Sequence, residues 1–413
     1  MARRQHRGKR LPRRSVAEWA IRGAGAAVAA ILGLTVVTGS IAASVRGRDP
    51  AQAHRLAPLD GRWTALLASR LTIGEATRAQ RRRADDLART ALRQDPTAVQ
   101  AVSALGINAQ IRGDTPGARR LFRYAERLSR RDQTMHLWAI EDAVGRGDVA
   151  GALRHYDMAL RTSRSSSALL FPVLATAIED EAVRNTLLRT LARKPGWSAA
   201  FADHVAGNGS PRATAELFRG LQQTGISVAE QSQATVLGRL LVANDIAGAW
   251  AYYASLRRGV DRLVSRDPTF SAVLVAPTAF DWVPLNEGGV VTSLDHGDGN
   301  GRGSFEFSAP TSVGGPLLQQ MQFLPPGTYR LEGRSSDIDQ SFDSLPYWQL
   351  NCIGGAELGR IVVPNSNTNG GTFRGEYQVP AGCPTQMLML VARSSDAIGG
   401  VAGRIDQVRL KPR

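Results

Sequence analysis

Three hydrophobic patterns follow one another along the chain. Between Ala24 and Val45 none of 22 consecutive residues is charged. A helix rising ~1.5 Å per residue needs about 20 apolar positions to cross ~30 Å of hydrocarbon, so this stretch predicts a transmembrane helix. It is rich in Ala and Gly, and its most apolar part runs from Ala26 to Val37. From about residue 60 to about 270, small and apolar residues recur at helical spacing. Near Pro277 that spacing stops, and Gly, Ser, Pro and Asn become frequent. Short alternating runs take over: Val290–Leu294, Ser304–Phe307, Leu318–Phe323, Thr328–Leu331, Tyr347–Cys352, Gly359–Val363, Thr372–Val379, Gln386–Val391 and Arg404–Leu410. Pro325-Pro326-Gly327 and Pro364-Asn365 supply turns between them. So many short strands in sequence predict an antiparallel sandwich and not a parallel α/β sheet.

The helical stretch repeats itself. Gly113-Asp114, Ala118, Phe122 and Ala125 are followed, at a constant offset of 34, by Gly147-Asp148, Ala152, Tyr156 and Ala159. One period earlier Ala84, Ala88 and Ala91 hold the small positions, and Asp95-Pro96 closes that unit. This pattern resembles the tetratricopeptide repeat (TPR), with Leu105-Gly106 where the small pair of the first helix belongs and Ala139-Ile140 departing from it in the next unit. Weaker copies follow at Asn208, Ala213 and Leu217 and at Asn244, Ala249 and Tyr253. The pattern blurs between Thr162 and Gly207, where Pro195-Gly196 still reads as a boundary. The resemblance implies an all-α helical-repeat solenoid of about five units, whose long surface docks a protein partner. A helical spacer between membrane and C-terminal domain is the plainer alternative.

Charge orders these parts across a membrane. Residues 1–22 carry eight Arg or Lys against Glu18, whereas only Arg46, Arg48, Arg55 and Arg62 follow within twenty residues of Val45. The bias predicts a cytoplasmic N-terminus and an extracytoplasmic bulk, in a single-pass protein of a bacterial inner membrane with its C-terminal mass in the periplasm. Ser40-Ile41-Ala42 is an acceptable small-x-small site, so a cleaved signal peptide is the rival. Either way the helical and sandwich segments leave the cytoplasm. Arginine runs such as Arg81-Arg82-Arg83, Arg119-Arg120 and Arg130-Arg131 then read as solvated faces, with no nucleic acid as partner; anionic lipid or an acidic polysaccharide is the better match for a basic patch. The expected organisation is a basic tail (1–23), a transmembrane helix (24–45), a TPR-like solenoid (46–275) and an all-β sandwich (276–413).

The sandwich carries the ligand chemistry. Phe280-Asp281-Trp282, the turn and strand Pro326–Leu331, and the closing Arg404–Leu410 resemble jelly rolls of the galactose-binding and carbohydrate-binding-module type. The resemblance implies a polysaccharide ligand. Sugar rings stack on flat aromatic faces beside planar hydrogen-bonding groups. Trp282, Tyr347, Trp348 and Tyr377, with Asn351 and Arg374, are the candidate binding residues, joined by Phe342, Gln349, Asn365, Asn367 and Asn369. Trp348 alternates with Leu350 and Cys352, which points it inward and Tyr347 to the opposite face. Cys352 and Cys383 are the two cysteines of the protein; outside the cytoplasm they can form a disulfide closing a loop. Asp295, Asp298 and Asn300 are weak calcium candidates beside a glycine-rich hairpin loop, without EF-hand spacing. No zinc pattern, nucleophile elbow or paired glycosidase carboxylates are present, and Asp85-Asp86 and Asp337/Asp339 read as solvated acids. No cofactor is expected.

Together these readings predict a membrane-anchored periplasmic scaffold, not an enzyme. Its helical array docks a protein, and its sandwich binds glycan, in exopolysaccharide or envelope biogenesis. A glycan-processing enzyme and a purely structural envelope protein are the alternatives.

Overall fold

The computed structural model describes residues 15–297 and 301–413. The basic tail ahead of Ser15, and Asp298 and Asn300, lie outside the described residues. The first element, α1 (Val16–Val45), starts before the uncharged stretch because the Ser15 side chain caps it at the Glu18 N–H. It is apolar and long enough to cross a membrane, with a mean hydropathy of 2.1 over its best window, which is compatible with a single-pass anchor or a signal sequence. Its apolar side chains are exposed on every face except near its end. There Ala42 is fully buried against Ala53 of α2 (Pro50–Leu56) and Trp63 of α3 (Gly61–Arg70).

The chain forms two compact units, Met1–Ser167 and Ala168–Arg413. In the first, α4 (Arg78–Gln94), α5 (Val99–Ile111), α6 (Thr115–Leu128), α7 (Gln133–Gly145) and α8 (Val149–Thr162) follow α3. Thr77 and Gln80 form a reciprocal cap that starts α4. The period of 34 is a period of helix pairs. Gly113 and Gly147 turn the chain with φ of 83° and 71°. The next residues, Asp114 and Asp148, cap α6 and α8 by accepting from the N–H groups of Gly117 and Gly151, each at 2.8 Å. Gly106 is the close-approach residue of the first pair: a Cβ there would lie 2.7 Å from the Phe122 ring, which packs among Ala118, Ala125, Met135 and Trp138. Asp85 is not a solvated acid as its neighbour Asp86 is. It is buried and accepts from Asn108 at 2.6 Å and Arg112 at 2.8 Å, because α5 brings two donors over it.

The second unit opens with α9 (Ser166–Ala177), α10 (Glu181–Leu191), α11 (Ser198–Asn208), α12 (Pro211–Gln223), α13 (Glu230–Val242) and α14 (Ile246–Leu256). The sequence pattern blurs here because α9 is apolar on nearly all sides and carries Pro172 within it. Pro195-Gly196 does sit in the turn between α10 and α11. The cap recurs at α14, where Asn244 has φ 57° and Asp245 accepts from the Gly248 N–H.

Among the described residues ten strands follow: β1 (Val283–Pro284), β2 (Val291–Asp295), β3 (Ser304–Ala309), β4 (Gly315–Gln322), β5 (Gly327–Ser336), β6 (Tyr347–Cys352), β7 (Glu357–Val362), β8 (Thr372–Val379), β9 (Gln386–Ala392) and β10 (Val401–Pro412). They form an antiparallel sandwich of two five-stranded sheets, β1-β4-β9-β6-β7 and β2-β3-β10-β5-β8. Every run read from alternation is a strand; the two-residue β1 is too short to alternate. The inner faces interdigitate Phe305, Leu318, Leu331, Trp348, Leu350, Phe373, Leu388, Leu390, Ile405 and Val408 into one core. The last helix ends at Leu256 and the first strand starts at Val283, whereas the compact units divide at Ser167, so α9–α14 belong with the sandwich.

Candidate functional site

The sandwich distributes the predicted binding residues over three places. Trp282, Trp348 and Tyr377 are core side chains, exposed by 4%, 0% and 1%. Trp282 and Trp348 pack on each other with centroids 5.7 Å apart, and the Tyr377 hydroxyl donates to the Trp348 carbonyl at 2.9 Å. None of the three rings offers a stacking face: Trp348 and Tyr377 alternate with residues of the outer surface and so belong to the inner one, and Trp282, just ahead of β1, is packed into the same core. Tyr347 does face outward from β6, together with Gln349 and Asn351, which bond each other at 2.8 Å. Its ring is covered by Arg360 and Arg393, whose guanidinium carbons lie 4.8 and 5.1 Å from the centroid. Arg374 is on β8, in the other sheet. Tyr347 and Asn351 therefore cannot share a subsite with Arg374. Phe342, in a single 3-10 turn, is exposed.

The outer face of the β2-β3-β10-β5-β8 sheet holds an open groove of about 800 Å³. Glu332 and Arg334 reach it from β5, Thr372 and Arg374 from β8, and Arg404 from β10, each alternating with a core residue. A bulge in β10 between Ile405 and Gln407 adds Asp406 to the same face, where it meets Arg334 at 3.4 Å and accepts from the Ser336 hydroxyl at 3.0 Å. Arg404 pairs with Glu306 at 2.7 Å, and Glu332 accepts from Lys411. The hydrogen bond from Lys411 holds the Glu332 carboxyl below its ordinary value, burial opposing and the charges of Lys411, Arg374 and Arg330 assisting. The shift favours the ionised form of Glu332. Arg374 lies opposite it in register and forms no ion pair among the described residues. Asp295 and Arg302 close one end. Asp295 accepts from the Gly297 N–H at 3.0 Å, and no group of three or more His, Cys, Asp or Glu gathers to hold a metal ion among the described residues.

Cys352 and Cys383 are joined, with Cα atoms 5.6 Å apart, tying the end of β6 to the loop before β9. This is the pairing expected of the two cysteines.

Sequence reasoning missed a deeply buried charge of this unit. Arg266 follows α14 and is almost fully enclosed. Its Nε donates to the Phe280 carbonyl and its Nη1 to Gln322 Oε1, both at 2.9 Å, and its Nη2 donates to the Met321 carbonyl. The rings of Trp250 and Phe280 lie 5.6 and 5.8 Å from its guanidinium carbon. Burial lowers its pKa to about 10, with Tyr253 and Asp281 opposing, so it stays charged near neutrality. Asp281 accepts from the Tyr253 hydroxyl at 2.8 Å and from Thr278 at 2.9 Å (N–H) and 2.8 Å (hydroxyl). The set fastens α14 to the edge of the sandwich. In the sequence Arg266 is one arginine among 48, and nothing local marks it.

No protein-family model matches this sequence, and no curated protein matches it. Solved structures similar to it include the CBM22-1 xylan-binding domain of Xyn10C from Paenibacillus barcinonensis, at 13% identity over 38% of this chain and 96% of that one, with a TM-score of 0.26. TmCBM61 in complex with β-1,4-galactotriose is similar at 15% identity over 38% and 99%, TM-score 0.25. The family 11 carbohydrate-binding module of the cellulosomal cellulase Lic26A-Cel5E of Clostridium thermocellum is similar at 14% over 35% and 92%, TM-score 0.21. At these identities and scores the likeness adds nothing to the geometry of the groove.

Proposed function

We propose that this protein is a membrane-anchored extracytoplasmic binding protein, whose sandwich holds a polysaccharide and whose repeated, TPR-like helix pairs dock a protein partner. The observation that carries the glycan reading is the groove on the outer face of the β2-β3-β10-β5-β8 sheet. It is long, open and lined by carboxylates, guanidiniums, threonines and an amide side by side. Such a lining matches vicinal hydroxyls, which donate and accept at once. Its one apolar lining side chain among the described residues, Phe373, is buried, so the groove presents little of the apolar anchoring on which protein interfaces depend. Binding is by hydrogen bonding and not by aromatic stacking, and the unpaired Arg374 favours neutral or acidic sugars over basic ones.

The full chain in detergent micelles, applied to an array of envelope and exported polysaccharides, tests this reading. Retention of a polysaccharide, lost in Arg374→Ala and Glu332→Ala and accompanied by no new reducing ends, is the expected result. Release of shorter sugars turns the assignment to an enzyme. Retention of no polysaccharide overturns the glycan reading.

A further inference from the structure

A second groove lies wholly within the first unit, between α6, α7 and α8, with a volume of about 470 Å³. Its floor is apolar: Phe122 and Trp138 stack with centroids 4.4 Å apart, beside Met135. Its walls carry four guanidiniums, Arg119, Arg123, Arg146 and Arg154, against two carboxylates, Glu126 and Asp142. Asp142 is already engaged by Arg119 at 2.8 Å and Arg146 at 3.2 Å. Arg123 and Arg154 are exposed and form no ion pair among the described residues. The groove thus holds a surplus of positive charge above an aromatic floor that is almost fully covered, Trp138 being 7% exposed and Phe122 2%.

A histidine pair lies behind that wall. His136 Nε2 is 2.8 Å from the Arg130 carbonyl, which can only accept, so this nitrogen carries a proton. In the neutral ring Nδ1 is then an acceptor. It lies 3.3 Å from Nδ1 of His155, so His155 donates there and keeps the lone pair of its Nε2 free. The His155 ring lines the groove. Protonation at His155 Nε2 preserves the bond to His136 and adds a fifth cation to the wall. Around it stand Glu126 and Asp148, which favour that proton, and Arg154 and His136, which oppose it together with burial; Arg119, Arg123, Arg146 and Asp142 line the same groove.

We propose that this groove docks an acidic peptide segment, its carboxylates meeting Arg123 and Arg154. The proposal rests on the reading that the helix pairs dock a protein, and it names the chemistry of that partner. Charge complementarity selects the occupant: a basic segment meets surplus like charge, and a neutral one leaves two guanidiniums unused.

The test uses the full chain in detergent micelles and short fluorescein-labelled peptides of alternating glutamate and leucine, with lysine-leucine and serine-leucine controls, read by fluorescence anisotropy. The acidic peptide binds, and the exposed double variant Arg123→Glu/Arg154→Glu weakens it by at least roughly tenfold while leaving polysaccharide retention unchanged. Affinity rises as pH falls below about 6.5, because burial holds the His155 proton affinity under the ordinary value, and His155→Asn, whose amide takes the place of Nδ1 and still donates to His136, removes most of that rise. Equal or better binding of a control peptide overturns the acidic chemistry and leaves the docking reading standing. Silence of all three peptides counts against both. Acidic-peptide binding unchanged in the double variant places it elsewhere and overturns the site.

Discussion

Replacing Arg266 with alanine tests the account of the second unit most directly. The substitution leaves the Phe280 and Met321 carbonyls and Gln322 Oε1 without the donor that now satisfies each. A buried acceptor stripped of its partner costs about 1–3 kcal/mol, and the contacts with Trp250 and Phe280 are lost as well. Against these losses stands relief from holding a desolvated cation, itself several kcal/mol. Asp281 keeps its bonds to Tyr253 and Thr278 and its contact to Arg257 at 3.7 Å but loses the nearby positive charge of Arg266, and the loss prevails, as it does when one member of a buried charged set is removed, at about 3–5 kcal/mol. For a unit of this size each kcal/mol lowers Tm by about 2 °C, so its transition falls by roughly 6–10 °C. Differential scanning calorimetry of the full protein in micelles, with Trp250 fluorescence following the same transition, reads the shift. Arg266→Lys recovers less than half of it, since one ammonium cannot span acceptors arranged for a planar fork. A shift below about 2 °C for Arg266→Ala, or a lysine variant as stable as the parent, refutes the reasoning.

Three further outcomes follow from the packing. Gly106→Ala destabilises the first unit by about 1–3 kcal/mol, because the new methyl enters the Phe122 ring; urea unfolding of that unit shows it, and Leu105→Ala on the half-buried neighbour does not produce the same overpacking. Replacing Cys352 and Cys383 together with serine releases a loop with a sequence separation of 31 and costs about 3–4 kcal/mol in the chain-entropy model, measured as a lower urea midpoint for the second unit. Burial lowers the His155 pKa below that of the unfolded chain, about 6.5, so the unfolded state takes its proton first. Stability is therefore present above about pH 6.5 and is lost as pH falls from there through the folded value, and His155→Gln flattens that loss in pH-dependent unfolding of the first unit.

The strands were legible because alternation and turn residues are local signals; Tyr347–Cys352 and Thr372–Val379 were read with their observed bounds. The helix pairs were legible through Gly113-Asp114 and Gly147-Asp148, since a left-handed turn and a cap demand those residues. The binding surface was not. Alternation along Tyr347–Cys352 does point Trp348 inward and Tyr347 outward, as observed, but it says nothing of Trp282, which precedes its strand and packs in the core with Tyr377, and Arg374 is separated from Tyr347 only by the strand order. Arg266 and the His136–His155 pair join segments that fold together from a distance or from successive helices. Their partners carry no spacing that a linear reading recognises.

The burial of Ala42 against Ala53 and Trp63 has a mechanical consequence. Only Arg46–Asp49 separate α1 from α2, so the segment leaving an apolar span has no slack. In a membrane-anchored protein, a sideways pull on the first helices reaches α1 as a bending moment, where a flexible leader would have dissipated it as free swivelling. The joint also shields the small-x-small site: Ser40-Ile41-Ala42 is helical and its last residue is wedged, whereas peptidases cut extended chain. Intact-mass measurement of the protein recovered from cells accordingly finds α1 retained, and a species starting at Ala43 is the observation that contradicts it.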